Sequence, residues 1–356
     1  LGTAVLLVMS IPVLGLRLGF SDESNYSEET TTRKAYDLVV EGFGPGFNGP
    51  LLITVEGAAT PDEIGRLATA IESDPGIAAV PVVAPDDPAA PEAFLIRAVP
   101  TTAPQDVDTE HLLNRLRSEV IPGAIDGTDL SVAVTGIVAG NVDFSDYLAD
   151  RMPMFFTAVL LLSFLLLMMV FRSLLVPLKA VIMNLLSIGA AYGIVVMIFQ
   201  WGWTSDLTGI QAAPIEPFIP MMMFAIVFGL SMDYEVFLLS RVKEEFDRTG
   251  DAVESVADGL ASTARVITAA AAIMVVVFGS FLLEDDRIIQ TFGTGLGVAI
   301  LLDATLVRML LVPATMELLG ARNWWIPAWL DRRLPNLDVE GGHFEQTEPE
   351  KVLELV

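Results

Sequence analysis

The sequence predicts an α-helical integral membrane protein with an α+β extracytoplasmic domain inserted after its first transmembrane helix. Three observations predict it. Six apolar runs approach or reach the roughly 20 residues needed to cross a bilayer. The 356-residue chain is 53% hydrophobic with mean hydropathy +0.58, yet its 45 acidic and 20 basic side chains leave a net charge of −25. Those figures fit one chain only if apolar and acidic residues occupy different segments. Residues 20–150 alone hold 23 acidic and 6 basic side chains, so most of the excess charge falls between the first run and the second.

Composition also excludes several classes. An acidic chain lacks the basic footprint of a nucleic-acid binder. With no cysteine there is no disulfide scaffold, thiolate metal site or cysteine nucleophile. His111 and His343, the two histidines, are too few for a histidine-built metal site. Neither a metal nor a cofactor is expected.

The elements follow in order. Leu1 to Leu18 (1–18) has no basic n-region and no small-residue cleavage site, so it reads as a truncated transmembrane helix of a longer protein and not as a signal peptide. Residues 19–151 form the extracytoplasmic domain. Thr31 to Glu41 suits a helix, followed by a glycine-rich corner at Gly42, Gly44, Gly46 and Gly49 that reads as a connector. LLITVEG (51–57) is a strand. Pro61 to Asp74 is a helix, with proline and two acids in its first turn and Ile64, Leu67 and Ile71 on one face. Gly76 to Val83 and Ala93 to Val99 are strands, Asp106 to Val120 a helix, and Leu130 to Thr135 a last strand. The β-α-β-β-α-β order predicts a ferredoxin-like, split βαβ arrangement. A helix from Val138 to Arg151 would join this domain directly to the second span. Five further spans (152–171, 174–201, 217–239, 266–283 and 288–311) make a bundle over 152–316. Residues 317–356 read as a cytoplasmic amphipathic segment and a flexible acidic tail.

Basic residues set the orientation, because acids contribute little to it. Arg172, Lys179, Arg241, Lys243, Arg248, Arg265, Arg322, Arg332 and Arg333 all fall on one side of this plan, which is assigned to the cytoplasm. The acidic domain then faces outward from a multi-pass membrane protein.

Ionisable residues inside spans carry the functional signal, since a charge at the bilayer centre costs about 2.5–3.5 kcal/mol on insertion scales. Asp233, in GLSMDYEVFLLSR, lies about two turns inside the cytoplasmic boundary. Static pairing or helix–helix hydrogen bonding would explain it, but a proton-binding carboxylate is the favoured reading. Gly229, one turn earlier on the same face, leaves room for a neighbouring helix or water. Glu235 is about 200° away around the helix and nearer its edge. Asp303 and Arg308 share another span at a spacing of five, about 140° apart. That is not a standard i,i+4 pair, so each is expected to bond to another helix. Thr268 and the Ser262–Thr263 pair are candidate hydroxyl partners, and Asn184 a structural hydrogen bonder between helices.

GLSMDYEVFLLSRVKEEF, LLDATLVRMLLVPATMELLG, the terminal Trp324, Trp325, Pro327 and Trp329, and YDLVVEGFGPGFNGPL together resemble the C-terminal half of MMPL-family transporters, a branch of the RND superfamily. The resemblance covers nearly the whole chain. It implies proton-driven export of lipids, lipopeptides or other hydrophobic compounds, without enzymatic activity. It places Asp233 and Tyr234 in the proton relay, where they would meet a matching pair from the N-terminal half, which is missing from this sequence. Asp303 and Arg308 become members of a coupling network. The implied partners are protons, a hydrophobic or lipid substrate, that N-terminal half and the bilayer. Two other readings compete: a non-transporting scaffold or sterol-sensing-like accessory, and an intramembrane aspartyl protease using Asp233 and Asp303. The protease requires the two carboxylates within hydrogen-bond reach.

Overall fold

The computed structural model describes residues 1–57, 59–83 and 93–335. It is mostly helical. Among the described residues five helices are long and apolar enough to cross a membrane: α5 (Ile137–Phe171), α6 (Leu175–Gln200), α7 (Phe218–Thr249), α8 (Ala252–Leu283) and α9 (Arg287–Trp324). The first apolar run forms a shorter helix, α1 (Gly2–Ser10), which tightens into a 3₁₀ turn at Ile11–Gly15 around Pro12. It packs on α6 at backbone contact distance. A Cβ on Gly193 would lie 1.7 Å from the Met9 carbonyl oxygen, and one on Gly189 would lie 2.9 Å from Ser10 Oγ.

The inserted domain contains α2 (Thr31–Phe43), β1 (Leu51–Glu56), α3 (Pro61–Glu72), β2 (Ile77–Ala79), β3 (Val82–Val83), β4 (Ala93–Pro100), α4 (Val107–Arg115) and β5 (Ser131–Thr135). The sheet order is β2-β4-β1-β5 with antiparallel neighbours, and β3 also pairs with β4. β1 and β2 are therefore parallel, with β4 between them. Period-two alternation buries Leu51, Ile53 and Val55 completely. They meet Ile64, Leu67 and Ile71 of α3, and Leu112 and Leu113 of α4, in one core. α3 begins at a reciprocal cap, in which the Thr60 side chain accepts from Glu63 N–H and the Glu63 carboxylate accepts from Thr60 N–H. The single strand expected over Gly76 to Val83 is instead split in two. Pro81 has no N–H for the ladder, and the register slips between Ile77 and Ala79.

β5 leads through Gly136 into α5, whose 35 residues make a rod about 52 Å long, well beyond the ~30 Å hydrocarbon core. The helix expected over Val138 to Arg151 is thus continuous with the membrane span. The domain's entry strap returns beside the bundle: Leu18 bridges Ile215, with Gly19 N–H donating to the Ile215 carbonyl at 3.0 Å. At the other end of the bundle Arg172, in the left-handed region (φ 47°), pairs with Asp331 at 2.7 Å. Beside it, Ser173 Oγ donates to the Asn323 carbonyl at 2.5 Å. The tail expected at 336–356 lies outside the described residues.

Candidate intramembrane charge site

α7 presents Asp233 and Glu235 on opposite faces, as 100° steps require. Asp233 is exposed, in a stripe with Met222, Ala225, Gly229 and Phe237. Among the described residues a Cβ on Gly229 would meet nothing within 4 Å, so this stripe is an open face of the described structure. A carboxylate about 22 Å along a spanning helix is costly against acyl chains, so such a face calls for protein or water.

One turn of α9 changes the geometry expected for the second pair. Asp303–Leu311 is π-helical, with i→i+5 hydrogen bonds. The wider turn brings residues five apart onto one face, and Asp303 and Arg308 pair with each other. Asp303 Oδ2 accepts from Arg308 Nη2 at 2.8 Å and from Nε at 3.0 Å. The expectation that each would bond elsewhere is corrected for Asp303 and half met by Arg308. Arg308 Nη2 also donates to Ser231 Oγ at 3.0 Å and to the Ser231 carbonyl. Ser231 Oγ in turn donates to Asn184 Oδ1 at 2.7 Å, which extends the chain of contacts to α6. The guanidinium lies 5.4 Å from the centre of the Tyr234 ring. Tyr234 Oη reaches Met274 Sδ of α8 at 3.7 Å. Arg308 is 0% and Asp303 6% exposed, and Asp303 Oδ1 and Arg308 Nη1 have no hydrogen-bond partner among the described residues. Beside them Tyr234, Ile267, Met274 and Asp303 line a cavity with about 10 Å³ for a water's centre, room for one molecule.

The two aspartates do not form a dyad. Asp303 Oδ1 is unbonded and Oδ2 is held by Arg308, while Asp233 faces outward from the bundle. The hydroxyl partners expected on α8 do not join the site either. Thr263 and Ser262 bond back to the Gly259 carbonyl of their own helix, and Thr268 is exposed. Small polar side chains on a helix commonly satisfy themselves this way.

Glu235 is the residue that sequence reasoning undervalued. It is 0% exposed, with Lys179 of α6, itself 6% exposed, as its charged neighbour. Among the described residues, Lys179 Nζ and both Glu235 carboxylate oxygens are buried without hydrogen-bond partners. The signal was present, because Lys179 lies five residues into an apolar helix, but sequence alone does not say which helices face each other. A second missed pair is Glu216–Arg287, whose closest contact is 3.1 Å, at the domain end of the bundle.

A long apolar bundle, an inserted α+β domain and ionisable groups buried at mid-helix define a polytopic membrane protein built around intramembrane charge. The chain belongs to the MMPL family, which matches residues 59–337. It is 40% identical over 340 residues to the membrane protein YdfJ of Bacillus subtilis, covering 95% of this chain and 46% of that protein. It is 35% identical over 346 residues to the mycolic acid-containing lipids exporter MmpL11 of Mycolicibacterium smegmatis, covering 94% and 36%. With the trehalose monomycolate exporter MmpL3 of Mycobacterium tuberculosis the identity is 33%, covering 92% and 35%. The chain spans less than half the length of these relatives.

Proposed function

We propose that this chain is one half of a proton-motive-force-driven exporter of lipids or other hydrophobic compounds in the bacterial inner membrane. In this reading Gly2–Gly15 belongs to a sixth crossing element, the inserted domain faces outward as a porter-type domain, and the far end of the bundle is cytoplasmic. The observation that carries it is Asp233, a mid-helix carboxylate on an open apolar stripe, followed by Tyr234, whose ring sits under the buried Arg308–Asp303 pair. Asp233 exchanges the proton, and the stripe receives the second half, which excludes lipid from the carboxylate. Tyr234 relays the change of charge to Arg308. The π segment offers a locally rearrangeable turn through which Asp303 and Arg308 can repack. Two relatives named as lipid exporters support the substrate class.

The test is Asp233→Asn in the protein carrying both halves. The variant is expected at normal abundance with gradient-dependent export abolished. Full export by Asp233→Asn contradicts the reading.

A further inference from the structure

The observations that go beyond the charge site lie at the opposite end of α9. Arg287 is its first residue, and Nη1 donates to Glu216 Oε1 at 3.1 Å and Oε2 at 3.3 Å. Its Nη2 donates to the carbonyls of Phe199 at 3.0 Å and Ala213 at 2.9 Å. Glu216 is 0% and Arg287 7% exposed. Glu216 Oε1 also accepts from Ser21 Oγ at 2.6 Å. One buried ion pair therefore ties together the end of α6, the approach to α7, the start of α9 and the strap leading into the inserted domain. That strap walls a cavity of about 220 Å³ at the domain's root, whose lining includes Phe20, Ser21, Asp22, Gln105, Asn141 and Ser145.

The same helix carries Asp303, sixteen residues or about 24 Å away. Between the two, α9 is a tight-fitting rod. A Cβ on Gly293 would lie 2.6 Å from the Phe278 carbonyl oxygen and 2.5 Å from Phe281 Cβ. Such contact lets α9 shift along its neighbour as a body but leaves little room to bend. A tie needed only for stability is often replaced by apolar packing without loss. A charged pair on the rod's first residue, bonded to the strap, instead makes the strap follow the rod.

We propose that Glu216 and Arg287 are positioning residues that couple a change at Asp303 to the domain-root cavity, acting through Ser21. This rests on the transport reading above. Asp303 is faced by Arg308 of its own helix and Tyr234 of α7; α8 contributes Ile267, Ala271 and Met274, and Asn184 of α6 reaches the site by accepting from Ser231 of α7.

This chain has no cysteine, and any cysteine elsewhere in the two-half protein is replaced by serine before a single reporter is introduced. An environment-sensitive thiol fluorophore is placed on Asn141→Cys at the cavity, or on Leu301→Cys, exposed and two residues before Asp303. Each is read for quencher accessibility in bilayer nanodiscs at fixed pH, with and without Asp303→Asn. The expected result is a response of about fivefold or more at both reporters. Adding Glu216→Gln is expected to leave the Leu301 response intact and abolish the Asn141 response. Ser21→Ala, which spares the ion pair, is expected to do the same. An undiminished Asn141 response in both clamp variants overturns the coupling and leaves the transport reading standing. Silence at both reporters overturns the coupling and also counts against a conformational role for Asp303. Asp303→Glu is the second perturbation if Asp303→Asn does not fold.

Discussion

At the scale of single residues, the bundle keeps charges that apolar side chains could replace. Removing one partner of a buried ion pair typically costs about 3–5 kcal/mol, because the other is left uncompensated, whereas replacing both can be near neutral. Arg308→Gln is therefore expected to destabilise the bundle by about that amount, and Asp303→Leu with Arg308→Met by much less. Thermal unfolding of the single and double variants in detergent checks this. If the pair serves coupling and not folding, the stable double variant remains inactive. In the inserted domain, Arg115 Nε and Nη2 each reach a different oxygen of Asp74 at 2.7 Å. The hydrogen bonds from Arg115 hold the Asp74 carboxyl below its usual range, against the opposing effect of burial. A depressed folded-state value means that the stabilisation is present above about pH 3.8 and is lost as pH falls through the lower folded value. Asp74→Asn is expected to cost about 1–3 kcal/mol at neutral pH, and the difference from the native protein should shrink below about pH 3.8.

Among the elements, what was legible depended on regular geometry. Alternation in LLITVEG, and proline with two acids opening α3, gave the inserted domain's strands and helices to within a few residues. The split of the second expected strand escaped because Pro81, which has no N–H for the ladder, went unweighed within Gly76 to Val83. The Asp303–Arg308 pairing escaped because a 100° step was applied through a segment that is π-helical. A spacing of five between opposite charges is the signal such a turn leaves. GAAYG, Gly189 to Gly193 of α6, is a small-xxx-small motif that went unread, and it is where α1 docks. Gly193→Ile puts side-chain atoms where the Met9 carbonyl stands. It is expected to destabilise the bundle by about 1–3 kcal/mol and to expose α1, read as faster protease cleavage within residues 1–15. Unchanged cleavage would remove α1 from the packed bundle.

On the scale of the whole molecule, apolar runs showed where the five long apolar helices lie, and the site only in part. Asp233 stands out in sequence because charge in a span is rare, and Tyr234 because the resemblance pairs it with Asp233. That Asp233 lies on an open face, Glu235 against Lys179, and Arg308 over Tyr234 depends on which helices meet, and no single helix encodes that. α8 and α5 are the least covered spans, with 11% and 17% of their apolar windows buried, and α7 adds a carboxylate to the open surface. The molecule thus has a face that lipid alone suits poorly, in keeping with a half that works against another half. The measurement that tests this account most directly is proton flux in vesicles reconstituted with the two-half protein, under an imposed pH gradient, for native protein and Asp233→Asn. The account predicts substrate-stimulated proton entry that disappears in Asp233→Asn while the protein stays folded. Undiminished substrate-stimulated flux in that variant would contradict it.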